Sequence, residues 1–482
     1  MNLLFIIPGF SNIEKYQERL YNYNLPLGTL QISSFLKERF DLKTGIIDMR
    51  LEEENNKQSD INNIYIDSIT ESYLDILESN NIQEFQNVGI NCYTSYQYQQ
   101  TLIMANLIKK EYPDKKIIVG GYHPSSVIDD FNYKYSPFDY IVIDEAELSL
   151  YNLLKKPNLN KNTNKTPIIL NSTQLIDVNL LPPPDYELFL LKYPYKDRFN
   201  FDLYTSRGCP YQCNFCALNY PFRGFNFEKF KECFDKLRTI VSDYNKQNPK
   251  ISFADQSFFD NSISKNILDY IIQNKFEEDY KFSCQSRIET VANNNEFLKK
   301  IQKTKMIVGF GFESANKELL VEMNKTNNSS FYIESMKKIL EKYKTNNNVY
   351  CRINIVCGFP GEDDITFRDT IDFIYKYALH ENIQISPSLF SCYPNTPVYK
   401  NMNYYITKFG AEFNKTWWKS YSNNLFKKSV LNKPSENYTL KNLIIDYKEN
   451  YSKILNVFKY KNFSDLIIWK KFYNKWYKEL LD

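Results

Sequence analysis

The sequence predicts an α/β protein built from two successive domains with parallel β-sheets. Strand-like apolar runs alternate with helical stretches through the first 155 residues, and again between about residues 201 and 400. Such alternation predicts sheets covered by helices on both faces. The 482 residues are 43% hydrophobic and 16% aromatic, enough for two or three domains with substantial cores. We expect a doubly wound Rossmann-like domain over 1–155, a linker over 156–200, a partial (β/α)6 barrel of the TIM type over 201–400 and a small helical domain over 401–482.

Composition argues against several classes of function. Sixty basic and 57 acidic residues give a net charge of +3 without a basic block, so charge does not favour nucleic-acid binding. The apolar run Leu3–Ile7 is too short for a signal peptide or a membrane span. Nine cysteines without a targeting signal predict a reducing, cytoplasmic location and no membrane association.

The first domain is predicted from short apolar runs separated by helical stretches. The predicted strands are Leu3–Ile7, Leu42–Asp48, Asn87–Cys92, Lys116–Val119 and Tyr140–Ile143. The predicted helices are Pro26–Leu36, Ile61–Glu78, Tyr96–Tyr112 and Glu145–Leu154, the first of them opened by a proline. Such sheets bind ligands beyond the carboxyl ends of their strands.

One of those strand ends carries Gly120, Gly121 and His123. The glycine pair would let a flat ligand approach the backbone closely. His123 is one of only two histidines in the chain, and we weigh a role at a ligand site against a purely local role in the loop.

The segments that flank the barrel are predicted to connect or to pack. Pro157–Thr166 is rich in Asn and Lys and predicts a loop, and Leu180–Asp185 contains three consecutive prolines that favour an extended path. After residue 400, apolar Leu440–Ile445 and the aromatic-rich Trp469–Leu481 predict helices. We expect them to pack against the barrel, with a lid as the alternative.

The barrel is predicted from six strand–helix units. Its strands lie near 202–206, 250–255, 281–287, 306–313, 349–357 and 384–390, and its helices near 227–246, 261–274, 295–303, 315–322, 330–343 and 363–379. In the fourth strand, Gly309, Gly311 and Glu313 share one face, and large apolar residues share the other. A closed eightfold barrel packs branched apolar residues inside, so this pattern predicts an open, solvated cavity.

Three cysteines form the densest chemical motif of the chain. Cys209, Cys213 and Cys216 follow the first barrel strand with the spacing C-x3-C-x2-C. Thiolates this close can hold three corners of a [4Fe–4S] cluster. The alternatives are buried apolar side chains, a zinc site or disulfides. A zinc site lacks a second Cys or His pair at finger spacing, and the predicted compartment disfavours disulfides.

This loop resembles that of the radical S-adenosylmethionine (SAM) enzymes. The resemblance implies that the fourth iron binds the cofactor's amino and carboxylate groups, and that reduction releases a 5′-deoxyadenosyl radical. Phe215 stands where the family carries an aromatic residue before the third cysteine. The resemblance also implies SAM contacts at several strand ends. These are Asp255, Arg287, Gly309, Gly311, Glu313 and Gly358.

The first domain resembles the cobalamin-binding domain that precedes many radical SAM cores. In that resemblance Gly120, Gly121 and His123 flank the corrin. The D-x-H-x-x-G signature of proteins that ligate cobalt through histidine is absent from the sequence, so His123 is not assigned as a cobalt ligand.

Together the two resemblances, which cover about residues 1–400, imply a cobalamin-dependent radical SAM enzyme. The expected reaction is methylation of an unactivated carbon or phosphorus of a natural-product intermediate. The alternatives are ring closure or rearrangement without methyl transfer, and a cobalamin or redox sensor without catalysis. A methylthiotransferase would carry a second cysteine triad in its first domain, where this chain has only Cys92. The expected partners are a small-molecule or peptide substrate and an electron donor such as flavodoxin or ferredoxin.

Overall fold

A computed structural model describes most of the chain. The described residues are 2–10, 23–55, 66–156, 165–172, 174–194, 199–218, 220–242, 249–345, 349–420 and 425–454. The predicted tail Trp469–Leu481 and most of the predicted loop Pro157–Thr166 lie outside these ranges. No helix in the described part of the chain is long and apolar enough to span a membrane.

The strands and helices are numbered here in chain order. The strands are β1 (Asn2–Ile7), β2 (Tyr23–Asn24), β3 (Lys43–Asp48), β4 (Asn87–Asn91), β5 (Lys116–Gly120), β6 (Tyr140–Ile143), β7 (Ile168–Asn171), β8 (Phe199–Leu203), β9 (Ser206–Arg207), β10 (Arg223–Gly224), β11 (Lys250–Phe253), β12 (Lys281–Ser286), β13 (Ile307–Glu313), β14 (Cys351–Cys357) and β15 (Ile383–Leu389). The helices are α1 (Leu27–Lys37), α2 (Met49–Asn55), α3 (Ile66–Ser79), α4 (Tyr98–Glu111), α5 (Tyr122–Ser126), α6 (Ala146–Lys155), α7 (Tyr186–Leu190), α8 (Phe227–Ser242), α9 (Ser264–Gln273), α10 (Phe276–Asp279), α11 (Ile288–Ala292), α12 (Asn295–Thr304), α13 (Lys317–Glu322), α14 (Ser329–Lys344), α15 (Asp364–Phe373), α16 (Pro397–Lys400), α17 (Met402–Phe409), α18 (Leu425–Ser429) and α19 (Leu440–Ile454).

The chain divides into two compact units. The first comprises Met1–Leu20, Pro26–Lys196 and Trp418–Leu425, and the second comprises Tyr21–Leu25, Asp197–Trp417 and Phe426–Asp482. The α/β fold class with parallel sheets is confirmed in both.

The first unit is a parallel sheet in the order β3-β1-β4-β5-β6-β7. β1 and β5 are buried along nearly their whole length, as expected of parallel strands covered on both faces. The order reverses between β1 and β4, which makes this pair the topological switch point, where sheets of this type bind their ligands.

Most of the described residues predicted as a linker belong to the first unit, whereas Phe199 and Asn200 begin β8 of the second. β7 extends the sheet, and the segment around Asp185 packs along α1. The Asp185 carboxylate accepts hydrogen bonds from Ser33 Oγ and Lys37 Nζ, both at 2.8 Å. Its other oxygen caps α7 by accepting a bond from the Leu188 backbone N–H at 3.3 Å. We predicted a linker over 156–200, so β7 and α7 were not predicted from the sequence.

The second unit contains the six predicted barrel strands in a parallel sheet. Its order is β15-β14-β13-β12-β11-β8-β2, in which β2 is an unpredicted edge strand of two residues. Along β14, Arg352 and Asn354 are half-buried, whereas the alternate residues are buried. Gln285, Gly309, Arg352 and Gln384 stand in register on this half-exposed face. The face that the sequence predicts to line an open cavity is therefore the less buried one.

α17 and α19, which follow residue 400, belong to the second unit. The Tyr447 hydroxyl of α19 donates a hydrogen bond to the Pro387 carbonyl of β15 at 3.0 Å. Tyr447 and Tyr451 are both fully buried. Apart from 418–420 and Leu425, which belong to the first unit, the described part of the predicted C-terminal domain is thus grouped with the barrel.

Candidate functional site

The cysteine loop is framed by a short hairpin that the sequence did not predict. β9 and β10 pair antiparallel, and the backbone N–H of Cys209 donates to the Tyr220 carbonyl at 3.2 Å. Gly208 has a φ of +76°, and a Cβ there would lie 2.2 Å from the Pro221 carbonyl oxygen. Only glycine fits this turn, because the hairpin backbone passes directly beside it.

The middle of the loop is tied to the segment that follows α13. The Asn214 backbone N–H donates to the Met323 carbonyl at 2.8 Å, and its side-chain amide donates to the Glu322 carbonyl at 2.7 Å. In return, the Asn324 amide donates to the Gln212 carbonyl at 2.7 Å. The loop therefore has a fixed shape set by the surrounding protein.

All three thiols are free and lie within electrostatic range of one another. Burial raises the pKa of Cys209, Cys213 and Cys216 above the ordinary value of a thiol. At Cys213 the positive charges of Lys325 and then Arg287 oppose that rise. A backbone N–H, that of Leu218, points at the Cys216 sulfur at 3.4 Å. Donors and cations of this kind favour thiolates.

Arg287 lies directly beside the second cysteine. Its Nη1 is 3.8 Å from the Cys213 sulfur, and its guanidinium stacks over the Tyr211 ring with 4.0 Å to the centroid. Glu289 holds it from the other side, with Nη2–Oε1 at 2.8 Å and Nε–Oε2 at 3.3 Å. The guanidinium also donates to the Lys325 carbonyl.

Glu313 forms a buried ion pair close to the same loop. Its Oε1 is 2.9 Å from Lys325 Nζ, and each side chain is only 7% exposed. Lys325 Nζ also lies 5.8 Å from the centroid of the Phe215 ring. A Cβ on Gly311 would meet Glu313 Oε1 at 2.5 Å, so the carboxylate lies over that glycine on the half-exposed sheet face.

Asp255 is held by the chain that enters the loop. Its buried carboxylate accepts a hydrogen bond from Thr205 Oγ1 at 2.8 Å, another from the Thr205 N–H at 3.1 Å and a third from Ser206 Oγ. Burial raises the pKa of Asp255 to about 6, against the lowering effect of these bonds. The geometry gives Asp255 a supporting role behind the loop, and its contact with SAM stays a prediction.

The other predicted glycines occupy close approaches to side chains. A Cβ on Gly309 would lie 2.4 Å from Gln285 Oε1, on the half-exposed face. Gly358 has a φ of +78° and faces Leu443 of α19, so its predicted position near adenine also stays a prediction.

At the switch point of the first unit, an aromatic pair lies on the surface. Tyr93 follows β4 and is 57% exposed. Its ring packs edge-on against Tyr122, with 5.1 Å between centroids. Gln97 fixes this loop by donating to the Pro8 carbonyl at 2.6 Å and accepting from the Tyr93 N–H at 3.0 Å. This edge could present aromatic surface to a flat ligand.

Gly121 is required by the backbone at this edge. Its φ is +112°, and a Cβ there would lie 2.6 Å from the Cys92 carbonyl oxygen. At Gly120 a Cβ would make an ordinary contact, 3.5 Å from Val142 Cβ. The need for glycine at 121 therefore has a structural cause besides any ligand.

His123 is fully buried within the first unit. Its Nδ1 is 2.9 Å from Ser95 Oγ, and its Nε2 is 3.6 Å from Asp130 Oδ2. Burial lowers the pKa of His123 below its ordinary value. Asp130 also accepts a hydrogen bond from Trp418 Nε1 at 2.6 Å and pairs with Lys419 Nζ at 2.5 Å. The ring has no exposed surface, so its predicted place beside a corrin remains a prediction.

Comparison with known proteins identifies the second unit. The Radical SAM superfamily matches residues 203–374, which include the cysteine loop, Arg287, Glu313 and Gly358. Residues 203–374 therefore form a radical SAM domain. Domains of this superfamily use a [4Fe–4S] cluster and SAM, and the cysteine loop lies within the matched residues.

Similar proteins include methyltransferases, one of which is described as cobalamin-dependent. A bacteriochlorophyllide d C-12(1)-methyltransferase of Chlorobaculum tepidum is 23% identical over 60% of this chain and 60% of its own length. A cobalamin-dependent radical SAM methyltransferase, TokK, of Streptomyces tokunonensis is 20% identical over 64% of this chain and 47% of its own length. The matches thus span less than two thirds of these relatives.

A solved structure shares the fold. It is the radical SAM methyltransferase TsrM from Kitasatospora setae, described with cobalamin and a [4Fe–4S] cluster bound, and it matches with a TM-score of 0.61 at 13% identity. The match covers 82% of this chain and 76% of TsrM.

The donor set of the loop fits the cluster. Three free thiols stand on one rigid loop, two buried cations flank Cys213, and a backbone N–H points at Cys216. In the described part of the chain no three His, Cys, Asp or Glu side chains are placed to hold a single metal ion. A cluster makes no such demand, because each of its irons takes its own thiolate.

Sequence reasoning missed several residues of this site. Lys325 was not singled out because its partner, Glu313, is distant in the chain. Glu289 was not singled out because its partner, Arg287, was itself only a candidate. Tyr93 and Tyr122 stood within noticed strand-end segments without being selected. An aromatic residue directly after a buried strand was the available signal for both.

Proposed function

We propose that this radical SAM enzyme is a cobalamin-dependent methyltransferase that acts on an unactivated carbon or phosphorus of a natural-product intermediate. Cys209, Cys213 and Cys216 would hold the [4Fe–4S] cluster, and the carboxyl edge of the first unit's sheet would hold cobalamin. When bound, the cluster supplies an electron to SAM to give the 5′-deoxyadenosyl radical, and cobalamin carries the methyl group.

The observation that carries the cobalamin assignment is the switch point of the first unit. The strand order β3-β1-β4 opens the carboxyl edge between β1 and β4. Exposed Tyr93, packed against half-buried Tyr122, offers aromatic surface there. His123 turns both ring nitrogens toward Ser95 and Asp130, which supports binding of cobalamin without a protein imidazole on cobalt. The names of the relatives support methyl transfer.

In the second unit, Arg287 and Glu313 would bind SAM. Arg287 lies 3.8 Å from Cys213 and is positioned by Glu289, so its cation would be available to the carboxylate of SAM at the open iron. Glu313 lies on the half-exposed sheet face, where its carboxylate would accept bonds from ribose hydroxyls. The electron would come from a donor such as flavodoxin or ferredoxin.

The cluster is tested by cysteine replacement in the full chain. Cys213→Ala should abolish iron–sulfur absorbance and lower iron and sulfide content after anaerobic reconstitution. Cys351→Ala is the matched control, because that thiol is buried on the apolar face of β14 and should leave the cluster intact. A full cluster in Cys213→Ala would contradict the assignment.

Cobalamin binding is tested by reconstitution with hydroxocobalamin, followed by gel filtration and absorbance. Wild type should retain cobalamin, and Tyr93→Ala should retain less. Tyr135→Ala is the control, because Tyr135 is 65% exposed but precedes β6, at the opposite edge of the sheet. Absence of cobalamin from the wild-type protein would contradict the proposal.

Methyl transfer has a separate readout. Donation of the SAM methyl group leaves S-adenosylhomocysteine, which should form only when cobalamin is present. If cobalamin is retained and SAM yields 5′-deoxyadenosine and methionine without S-adenosylhomocysteine, the reaction is a ring closure or rearrangement without methyl transfer.

A further inference from the structure

Lys325 is a buried cation beside the cysteine loop, in a segment without a recognised motif. It follows α13, and its Nζ lies 2.9 Å from Glu313 Oε1. The same Nζ lies 5.8 Å from the centroid of the Phe215 ring, and Phe215 is one of the two residues between the second and third cysteines. The Lys325 carbonyl accepts a hydrogen bond from Arg287, so the backbone of Lys325 is fixed from the same side.

The two charges of the ion pair are placed differently relative to the cysteine loop. Glu313 lies over Gly311 on the strand, whereas Lys325 reaches the ring of Phe215 on the loop. Of the charged groups near Cys213, Lys325 acts most strongly on its sulfur, ahead of Arg287 and Glu313. Lys325 also acts on Cys216. The positive end of the pair therefore faces the cysteine loop.

We propose that the Lys325–Glu313 pair sets the reduction potential of the cluster, with Lys325 favouring the reduced state. This inference rests on the proposed attachment of the cluster to Cys209, Cys213 and Cys216. One electron passes from an external low-potential donor to the cluster, and no bond or proton moves. A nearby cation stabilises the added negative charge, and net charge near a cluster is a known determinant of its potential.

The size of the expected shift in reduction potential depends on how far the carboxylate of Glu313 cancels the field of the Lys325 cation. Both side chains are 7% exposed, so water screens the cation weakly. The carboxylate acts on Cys213 less strongly than the cation does, and it offsets part of the field of the cation. With an effective dielectric constant of about 20, removal of both charges should change the equilibrium constant for reduction roughly three- to tenfold, or about 30 to 60 mV for one electron.

The test is an EPR-monitored redox titration of the full chain, reconstituted anaerobically and without SAM. The double variant Lys325→Met with Glu313→Gln leaves no unpaired buried charge. Its potential should shift negative by the amount given above. Glu313→Gln alone should shift the potential positive, because the cation keeps its charge without the opposing carboxylate. Lys325→Arg should keep the potential close to wild type.

The possible outcomes distinguish a failure of this inference from a failure of the proposed function. A wild-type protein without a [4Fe–4S] signal overturns both. A normal wild-type signal with equal potentials in all variants, or with Glu313→Gln and the double variant shifted in the same direction, overturns the role of Lys325 alone. If the double variant assembles no cluster, the sign of the shift in Glu313→Gln decides. A purely structural role for the pair would not produce opposite shifts.

Discussion

Replacing Gly208 with alanine should disrupt the cysteine loop while leaving all three thiols in the sequence. Gly208 precedes Cys209 and lies at a φ of +76°, a conformation that L-residues rarely adopt. A Cβ would lie 2.2 Å from the Pro221 carbonyl oxygen and 2.5 Å from that of Tyr220. Both contacts are with backbone, so neither can be relieved by a side-chain rotation.

The cost can be estimated from these contacts. The left-handed conformation costs an alanine about 1–2 kcal/mol. Relief of the overlap requires the backbone of Pro221 to move by roughly 1 Å to reach an ordinary carbon–oxygen contact. That movement would break the Cys209–Tyr220 hydrogen bond of 3.2 Å, which contributes about 1 kcal/mol more. We expect a loss of about 2–3 kcal/mol, concentrated at the loop.

The assay is iron and sulfide content after anaerobic reconstitution, measured together with thermal unfolding. Gly208→Ala should lose most of its cluster. Gly224→Ala lies in the same hairpin, but the nearest atom to its Cβ would be the Asn261 side-chain oxygen at 3.0 Å, a much milder overlap than the backbone contact at Gly208, so this variant should keep its cluster. A Gly208→Ala protein with full iron content and an unchanged melting temperature would refute this reasoning.

Three further predictions follow from other parts of the structure. Arg287→Met should lower the affinity for SAM and the yield of 5′-deoxyadenosine with iron content retained, because the guanidinium lies beside Cys213 without being a ligand; loss of iron would instead make it a structural residue. His123→Ala should lower the free energy of unfolding by about 2–4 kcal/mol, since it empties a fully buried ring site, and should cause no cobalt–nitrogen spectral change in bound cobalamin; an unchanged melting temperature would contradict the burial. Burial raises the pKa of Asp202 and of Glu362 to about 8, so the folded state binds more protons than the unfolded state between about pH 4 and 8. Stability from these groups is fully present below pH 4 and declines as the pH rises toward 8, and the melting temperature of Asp202→Asn should depend less on pH over that range.

The six barrel strands could be predicted because each has one buried face. On β14, Cys351, Ile353 and Ile355 alternate with less buried residues, and the period of two is visible in the sequence. The structure placed Cys351 and Cys357 in the core, as their positions on the apolar face predicted.

The hairpin β9–β10 was not predictable from such a pattern. Each strand has two residues, too few for a periodicity, and the pairing joins segments on either side of the cysteine loop. β2 has the same length and pairs with β8, which is distant in the chain. Short strands of this kind depend on the closure of the surrounding structure, which local sequence does not contain.

Site residues were predictable where they stood at strand ends and were missed where they acted through a partner. Arg287 and Glu313 follow or end barrel strands, so their positions could be inferred from topology. Lys325 lies between two helices, in a segment that local pattern predicts to be an ordinary connection. Its importance depends on the ion pair with Glu313, which is visible only once β13 and the loop after α13 are placed together.

Arg287 and Lys325, the two cations near the loop, are each paired with a carboxylate, which explains how they can be buried there. Arg287 lies between Cys213 and Glu289, and Lys325 lies between the loop and Glu313. A buried cation without a counterion would cost several kcal/mol, whereas a paired one costs far less. Lys325 and Arg287 act on Cys213 more strongly than Glu313 does, so the pairing reduces the cost of burial without cancelling the positive field at this cysteine. Three thiolates on one loop repel one another, and both ion pairs offset that repulsion. The charge pattern of the site is therefore suited to holding a cluster whose ligands are all negative.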